Sequence, residues 1–121
     1  GMLAKFGKVD AILFHQGESD IGNAGSYVAT FGNMTAMLKA ALPSDAAEPK
    51  WMVSLTSYCT GVWDENVRRA QASISESRSN VCRGPATDDL IGSTCGEDQS
   101  AQCRFDDCHF GPAGLESFAN L

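Results

Sequence analysis

Apolar residues in this chain follow two rhythms. Residues 9–14, VDAILF, form a continuous run rich in branched side chains, which predicts a short buried strand, and MLAKFG before it reads as a short helix end. From Ser26, read as an N-cap, Tyr27, Phe31, Met34, Leu38 and Leu42 recur every three or four residues, predicting an amphipathic helix that Pro43 stops. Gly32 costs that helix about 1 kcal/mol relative to alanine without breaking it. WMVSLTSY (51–58) predicts a second strand. Asp64 then stands where a cap belongs, with Val67, Ala70 and Ile74 sharing one helical face before SESRSN ends it. A brief third strand is expected near NVCRG (80–84). From Gly84 to Cys108 the chain is turn-rich, and Gly111 with Pro112 opens a last helix carrying Leu115, Phe118 and Ala119 on one side.

Strands alternating with amphipathic helices specify an α/β fold, with right-handed crossovers and a parallel sheet covered on both faces. Only two or three strands are legible, whereas a sheet ordinarily has about five or six. The expectation is therefore a single domain over 1–121 that is either very small or part of a larger one.

Composition narrows the class. The 43% hydrophobic and 20% charged fractions are those of a globular chain, and no apolar stretch approaches the roughly 20 residues that span a bilayer. Nine Lys and Arg against fifteen Asp and Glu leave a net charge of −6, with the basic residues scattered. Nucleic acid is a poor partner for such a surface, since phosphate binding needs concentrated positive charge, and no membrane partner is expected. No signal-peptide pattern opens the chain. Five cysteines are many for a reduced chain of this size, which favours an exported origin, secreted or periplasmic. Cys95 and Cys103 are placed to close a small loop, while Cys59, Cys82 and Cys108 supply at most one further bridge and one free thiol. Cys95, Cys103, Cys108 and His109 also invite a metal reading. They contain no Cys-x₂₋₄-Cys pair, so no metal site and no cofactor is expected.

Chemistry concentrates in two turns. HQGESD (15–20) follows the first strand, and ligands of α/β sheets bind at the carboxyl ends of strands. FDDCHF (105–110) precedes the last helix. In it, Asp106 and His109 are three residues apart, close enough for the carboxylate to accept the Nδ1 proton and leave Nε2 as a general base. Both turns are written in residues that perform acyl transfer.

HQGESD resembles the third sequence block of the sialate O-acetylesterase and acetylxylan esterase branch of the SGNH hydrolases. FDDCHFGPAGL resembles the last block, and GPATDDL (84–90) the approach to it. The resemblance extends over residues 9–121. It implies a flavodoxin-like three-layer α/β/α fold, here an incomplete sheet lacking its N-terminal strands, and hydrolysis of acetyl esters on carbohydrates through a serine acyl-enzyme without a metal. Carried over by position, His109 is the general base, Asp106 its orienter, Gln16 and Gly17 lie at the oxyanion hole, and Glu18 braces the turn. Asp107 falls one residue off the pattern and reads as a solvated turn carboxylate.

The family's nucleophile belongs to a Gly-(Asp or Gln)-Ser turn upstream of the Gln-Gly-Glu block, and the fourteen residues before His15 contain no serine. On the resemblance the chain is the C-terminal half of the catalytic domain, inactive by itself. Ser19 is no substitute, because the nucleophile elbow needs Gly-x-Ser-x-Gly and Ile21 occupies its last position. Cys108 is expected in a disulfide rather than as a nucleophile, and its bridge would anchor the His109 loop. His15 is expected to pack at the strand end, Trp51 in the core, and Trp63 either in packing or as a wall for the sugar. The alternative from another class is a non-catalytic carbohydrate-binding or interaction module on an esterase scaffold. Surfaces left by missing strands imply a homo-oligomer.

Overall fold

The computed structural model describes residues 8–95 and 102–121; the helix end expected at MLAKFG lies outside them. Three strands, β1 (Ala11–Phe14), β2 (Lys50–Leu55) and β3 (Val81–Ala86), alternate with helices α1 (Ala24–Ala41) and α2 (Glu65–Ser77), and α3 (Pro112–Ala119) closes the chain. The sheet is wholly parallel in the order β1-β2-β3. The fold is thus the expected α/β class, an open three-stranded parallel sheet consistent with an incomplete flavodoxin-like one. None of the helices among the described residues is long and apolar enough to cross a membrane.

Two right-handed crossovers that advance the same way across a sheet place their helices on one face. Accordingly α1 and α2 pack on each other, and α2 lies along β2 and β3. Side chains alternate across a strand, so Ile12, Phe14, Trp51 and Val53 turn toward these helices and meet Tyr27, Phe31, Val67 and Ile74 in the core. Phe14, Phe31 and Trp51 pack edge to face, with centroids 5.3–6.2 Å apart. The opposite face departs from the expectation of two covered faces. Leu13 is 78% exposed there, and a groove of about 650 Å³ runs along Leu13, Met52, Pro85, Phe118 and Leu121.

Helix α1 begins two residues before the expected Ser26 cap. Asn23 takes the N-cap position, and the Ser26 hydroxyl, inside the first turn, donates back to the Asn23 carbonyl. Asp64 caps α2 as expected, accepting the Asn66 N–H at 2.8 Å. Strand β2 ends at Leu55, three residues short of the apolar run. The N–H groups of Thr56, Ser57 and Tyr58 turn instead to side chains, Gln71 for the first and Asp88 for the other two. In α3, Leu115 is 55% exposed, against the expected stripe. Gly114 is buried in its place, because any Cβ there would overlap the Cys103 carbonyl.

Candidate active site

The two motif turns and the loop after β2 meet at the carboxyl end of the sheet. In the first turn, the close approach of the backbone to Thr56 and Gln71 requires glycine at position 17, where a Cβ would overlap the Thr56 carbonyl oxygen and the Gln71 amide. Gln71, buried on α2, bonds both backbone groups of Thr56 and donates to the Gln16 carbonyl at 3.0 Å. The Tyr27 hydroxyl donates to the same carbonyl at 2.6 Å. Tyr27 on α1, Gln71 on α2 and Thr56 in the loop after β2 thus clamp the Gln16–Gly17 peptide.

The side chains of this turn are tied down as well. The Gln16 amide donates to the Asp20 carboxylate, leaving one amide hydrogen uncommitted. The Gly17 N–H donates to Glu18 Oε2 at 3.0 Å, and Glu18 Oε1 lies 3.4 Å from His15 Nδ1. His15 is packed, as expected. Its Nε2 meets Thr87 Oγ1 at 3.0 Å, and its ring packs against both Phe110 and Phe118, at 5.4 and 5.1 Å. Burial lowers its basicity, and the carboxylate of Glu18 partly opposes that.

In the second turn, Asp106 Oδ1 accepts the N–H groups of Cys108 and His109, at 3.0 and 2.6 Å, while Oδ2 meets His109 Nδ1 at 2.7 Å. The backbone N–H of His109, then its ring, hold the Asp106 carboxyl down to about 2. The imidazole is 73% exposed, and its Nε2 has no partner among the described residues. One nitrogen is therefore oriented by a carboxylate and the other faces outward, the arrangement a general base requires.

Asp107 is more than the solvated carboxylate the sequence suggests. It adopts a left-handed backbone (φ 61°), accepts the Tyr58 hydroxyl at 2.6 Å through Oδ1, and accepts the Thr60 N–H at 2.9 Å through its carbonyl. Donation to the Asp107 carboxylate raises the Tyr58 phenol above its ordinary value. The Cys59–Cys108 disulfide joins the same two loops covalently. Cys95 pairs with Cys103 and Cys82 is free, so the three cysteines weighed as metal ligands, Cys95, Cys103 and Cys108, are all disulfide sulfurs.

Arg104, which motif reasoning passes over, joins the halves. Its side chain is 1% exposed and donates to the carbonyls of Leu90, Thr87 and Cys108. It lies 4.2 Å from the Phe110 ring centroid and 4.0 Å from Glu18. Asp88, in the GPATDDL segment, is equally structural, accepting Ser57 and Tyr58 N–H groups at 2.7 and 2.9 Å. The visible signal for both was an ionisable residue inside an otherwise turn-rich stretch. Trp63 stands 60% exposed in the loop joined to the dyad by the disulfide, whereas Trp51 is core. Ser19 is exposed, and helix α1 starts five residues after it, so no strand-to-helix elbow surrounds its hydroxyl.

No curated protein and no solved structure matches the chain. A family model does, described as carbohydrate esterase, sialic acid-specific acetylesterase, over residues 2–110. That span takes in both turns, from the clamped Gln16–Gly17 peptide to the His109 ring. The chain belongs to this family of carbohydrate esterases.

Proposed function

We propose that the chain supplies the base, its orienter and part of the oxyanion hole for hydrolysis of acetyl esters on sugars, by the serine chemistry of the SGNH hydrolases. The observation that carries this is the pair His109 Nδ1 to Asp106 Oδ2 at 2.7 Å with Nε2 facing outward. In this reading Nε2 takes the proton of an attacking serine hydroxyl and returns it to the leaving sugar oxygen, while Asp106 stabilises the imidazolium. In this reading the uncommitted amide hydrogen of Gln16 is free to donate to the developing oxyanion. The Gly17 N–H joins it once the Glu18 carboxylate moves aside. The chain contains no Gly-(Asp or Gln)-Ser turn, so this reading requires a serine supplied from outside these 121 residues.

The test is turnover of p-nitrophenyl acetate, first by the 121-residue chain and then by a chain extended with the residues encoded upstream of Met2. The expected result is background hydrolysis by the first and serine-dependent hydrolysis by the second, reduced about 10³-fold or more by His109→Ala. Turnover by the short chain that disappears with Ser19→Ala overturns the reading. Survival of sugar binding but no turnover in the extended chain favours a binding module instead.

Two further proposals accompany this one. The two disulfides fit an oxidising compartment, which supports a secreted or periplasmic protein. The outer edge of β1, which pairs with no strand among the described residues, and the apolar face around Leu13 and Met52 support association with a second copy.

A further inference from the structure

At the end of the sheet opposite the two motif turns, where β2 and β3 begin, a cavity of about 350 Å³ opens beside Trp51 and Val81. The polar groups on its wall include Thr35 and Lys39 from α1, Glu48 ahead of β2, and Arg78, Ser79 and Asn80 from the turn between α2 and β3. We infer that this cavity binds a small doubly charged oxyanion, a phosphate or sulfate group, either free or carried on a small molecule.

Arg78 carries the argument. Arg68, Arg69, Arg83 and Arg104 each have a carboxylate within 4.0 Å, whereas Arg78 has none among the described residues. It is half-buried, and a charge withdrawn from water without a partner is costly. Its seat is nevertheless well defined. As the C-cap of α2, Arg78 leaves the helix in extended backbone and turns to α1. There Nη1 donates to Thr35 Oγ1 at 3.1 Å, and the guanidinium carbon lies 5.6 Å from the Phe31 ring centroid. Gly32, a weak point in α1 by propensity, makes room for this seat, since a Cβ there would stand 2.9 Å from Arg78 Nη2. The carboxyl end of α2 favours a cation but supplies only partial charge. The other guanidinium donors have no hydrogen-bond partner among the described residues, and they line an open space.

Charge and donors set the class of ligand. Lys39 is a second cation on the wall and lies 3.1 Å from Glu48, so two positive charges there face a single carboxylate. The Ser79 hydroxyl and the Asn80 amide add donors without charge. Two cations with neutral donors beside them suit the tetrahedral oxygens of a dianion, which a guanidinium holds bidentately. A carboxylate would only repeat what Glu48 already offers. One pocketed pair of cations is not the extended positive face that a polyanion requires, so the ligand is small.

The test is titration of the ¹⁵N-labelled chain with inorganic phosphate at fixed ionic strength, with chloride and acetate as controls. Expected are saturating shifts of the Arg78 Nε–H and of the Ser79 and Asn80 amides, none with chloride, and binding of acetate weaker by about five-fold or more. Gly32→Ala, which favours the helix, should displace the guanidinium and weaken phosphate binding about five-fold without lowering the melting temperature. Lys39, 68% exposed, can be changed without disturbing the core, and Lys39→Gln should weaken binding about three-fold. Glu48→Gln removes the competing carboxylate and should tighten it about three-fold. Glucose 6-phosphate separates the sources: tighter binding than inorganic phosphate assigns the site to a phosphate ester, and equal or weaker binding to the free ion. Equal, non-saturating shifts with chloride and phosphate, acetate binding as tight as phosphate, or full phosphate binding by both Gly32→Ala and Lys39→Gln overturns the inference.

Discussion

Arg104 reaches from the Cys108 carbonyl to within 4.0 Å of Glu18, so a single buried guanidinium links the loop of His109 to the Gln16–Gly17 turn. Replacing it leaves three carbonyls without their donor and takes a buried cation from beside Glu18. Arg104→Met keeps much of the volume and is expected to destabilise the chain by about 3–5 kcal/mol. A urea midpoint unchanged from the parent chain would show that the guanidinium is not the tie.

Gly17 has no room for a methyl group. Gly17→Ala forces the turn away from Thr56 or displaces Gln71, with an expected loss of about 2–3 kcal/mol, the range of overpacked sites. Thermal unfolding of this variant beside Gly22→Ala gives the comparison. Gly22 has open space around it, though its φ of 81° still penalises alanine. Equal melting of Gly17→Ala and the parent chain would contradict the packing described.

Asp106 carries the pH dependence. Its carboxyl titrates at about 2 in the folded chain, against about 3.9 in an unfolded one. A depressed folded value means that its ionised form stabilises the fold above about pH 4, and that this contribution fades as the pH falls from about 4 toward 2. The ¹³C shift of the Asp106 carboxyl should show a midpoint near 2. In His109→Ala the midpoint should rise only part of the way, because the backbone N–H groups of residues 108 and 109 still donate to it. A native midpoint near 4 would refute the hydrogen-bond pattern.

The two disulfides differ in reach. Cys59–Cys108 closes a separation of 49 residues and Cys95–Cys103 one of 8. In the chain-entropy model their removal costs about 4 and about 2.5 kcal/mol respectively. Double alanine variants of each pair, unfolded in urea, should rank in that order, and the reverse ranking would assign the stabilisation to something other than loop closure.

Association through the open sheet face is checked by light scattering. The chain should exceed monomer mass at micromolar concentration, and Leu13→Glu should restore the monomer, since Leu13 is exposed and its loss vacates no core position. A monomeric parent chain rules the association out.

Much of the fold was legible because periodicity and punctuation agreed. The stripe Tyr27, Phe31, Met34 and Leu38 faces the core, Asp64 caps its helix, and Pro112 opens the last one. The errors came where long-range polar contacts outweighed local pattern. Apolar periodicity carries WMVSLTSY to residue 58, but Gln71 and Asp88 capture the backbone from Thr56 onward and stop the strand. Leu115 looks like a buried position, yet the Cys103 carbonyl comes so close that only Gly114 fits against it. At the site, His109 and Asp106 were readable because three residues separate them. Arg104 was not, since its partners at Glu18, Thr87 and Leu90 are adjacent only after folding.

The Cys59–Cys108 bridge turns the chain between those residues into a covalent ring that contains α2 and β3. A protease that cuts once anywhere inside the ring leaves the two fragments joined, so the nicked protein migrates as one species until it is reduced. The segment bearing His109 would then stay attached to the strands beside it, and a single backbone break inside the ring need not release His109 from its place.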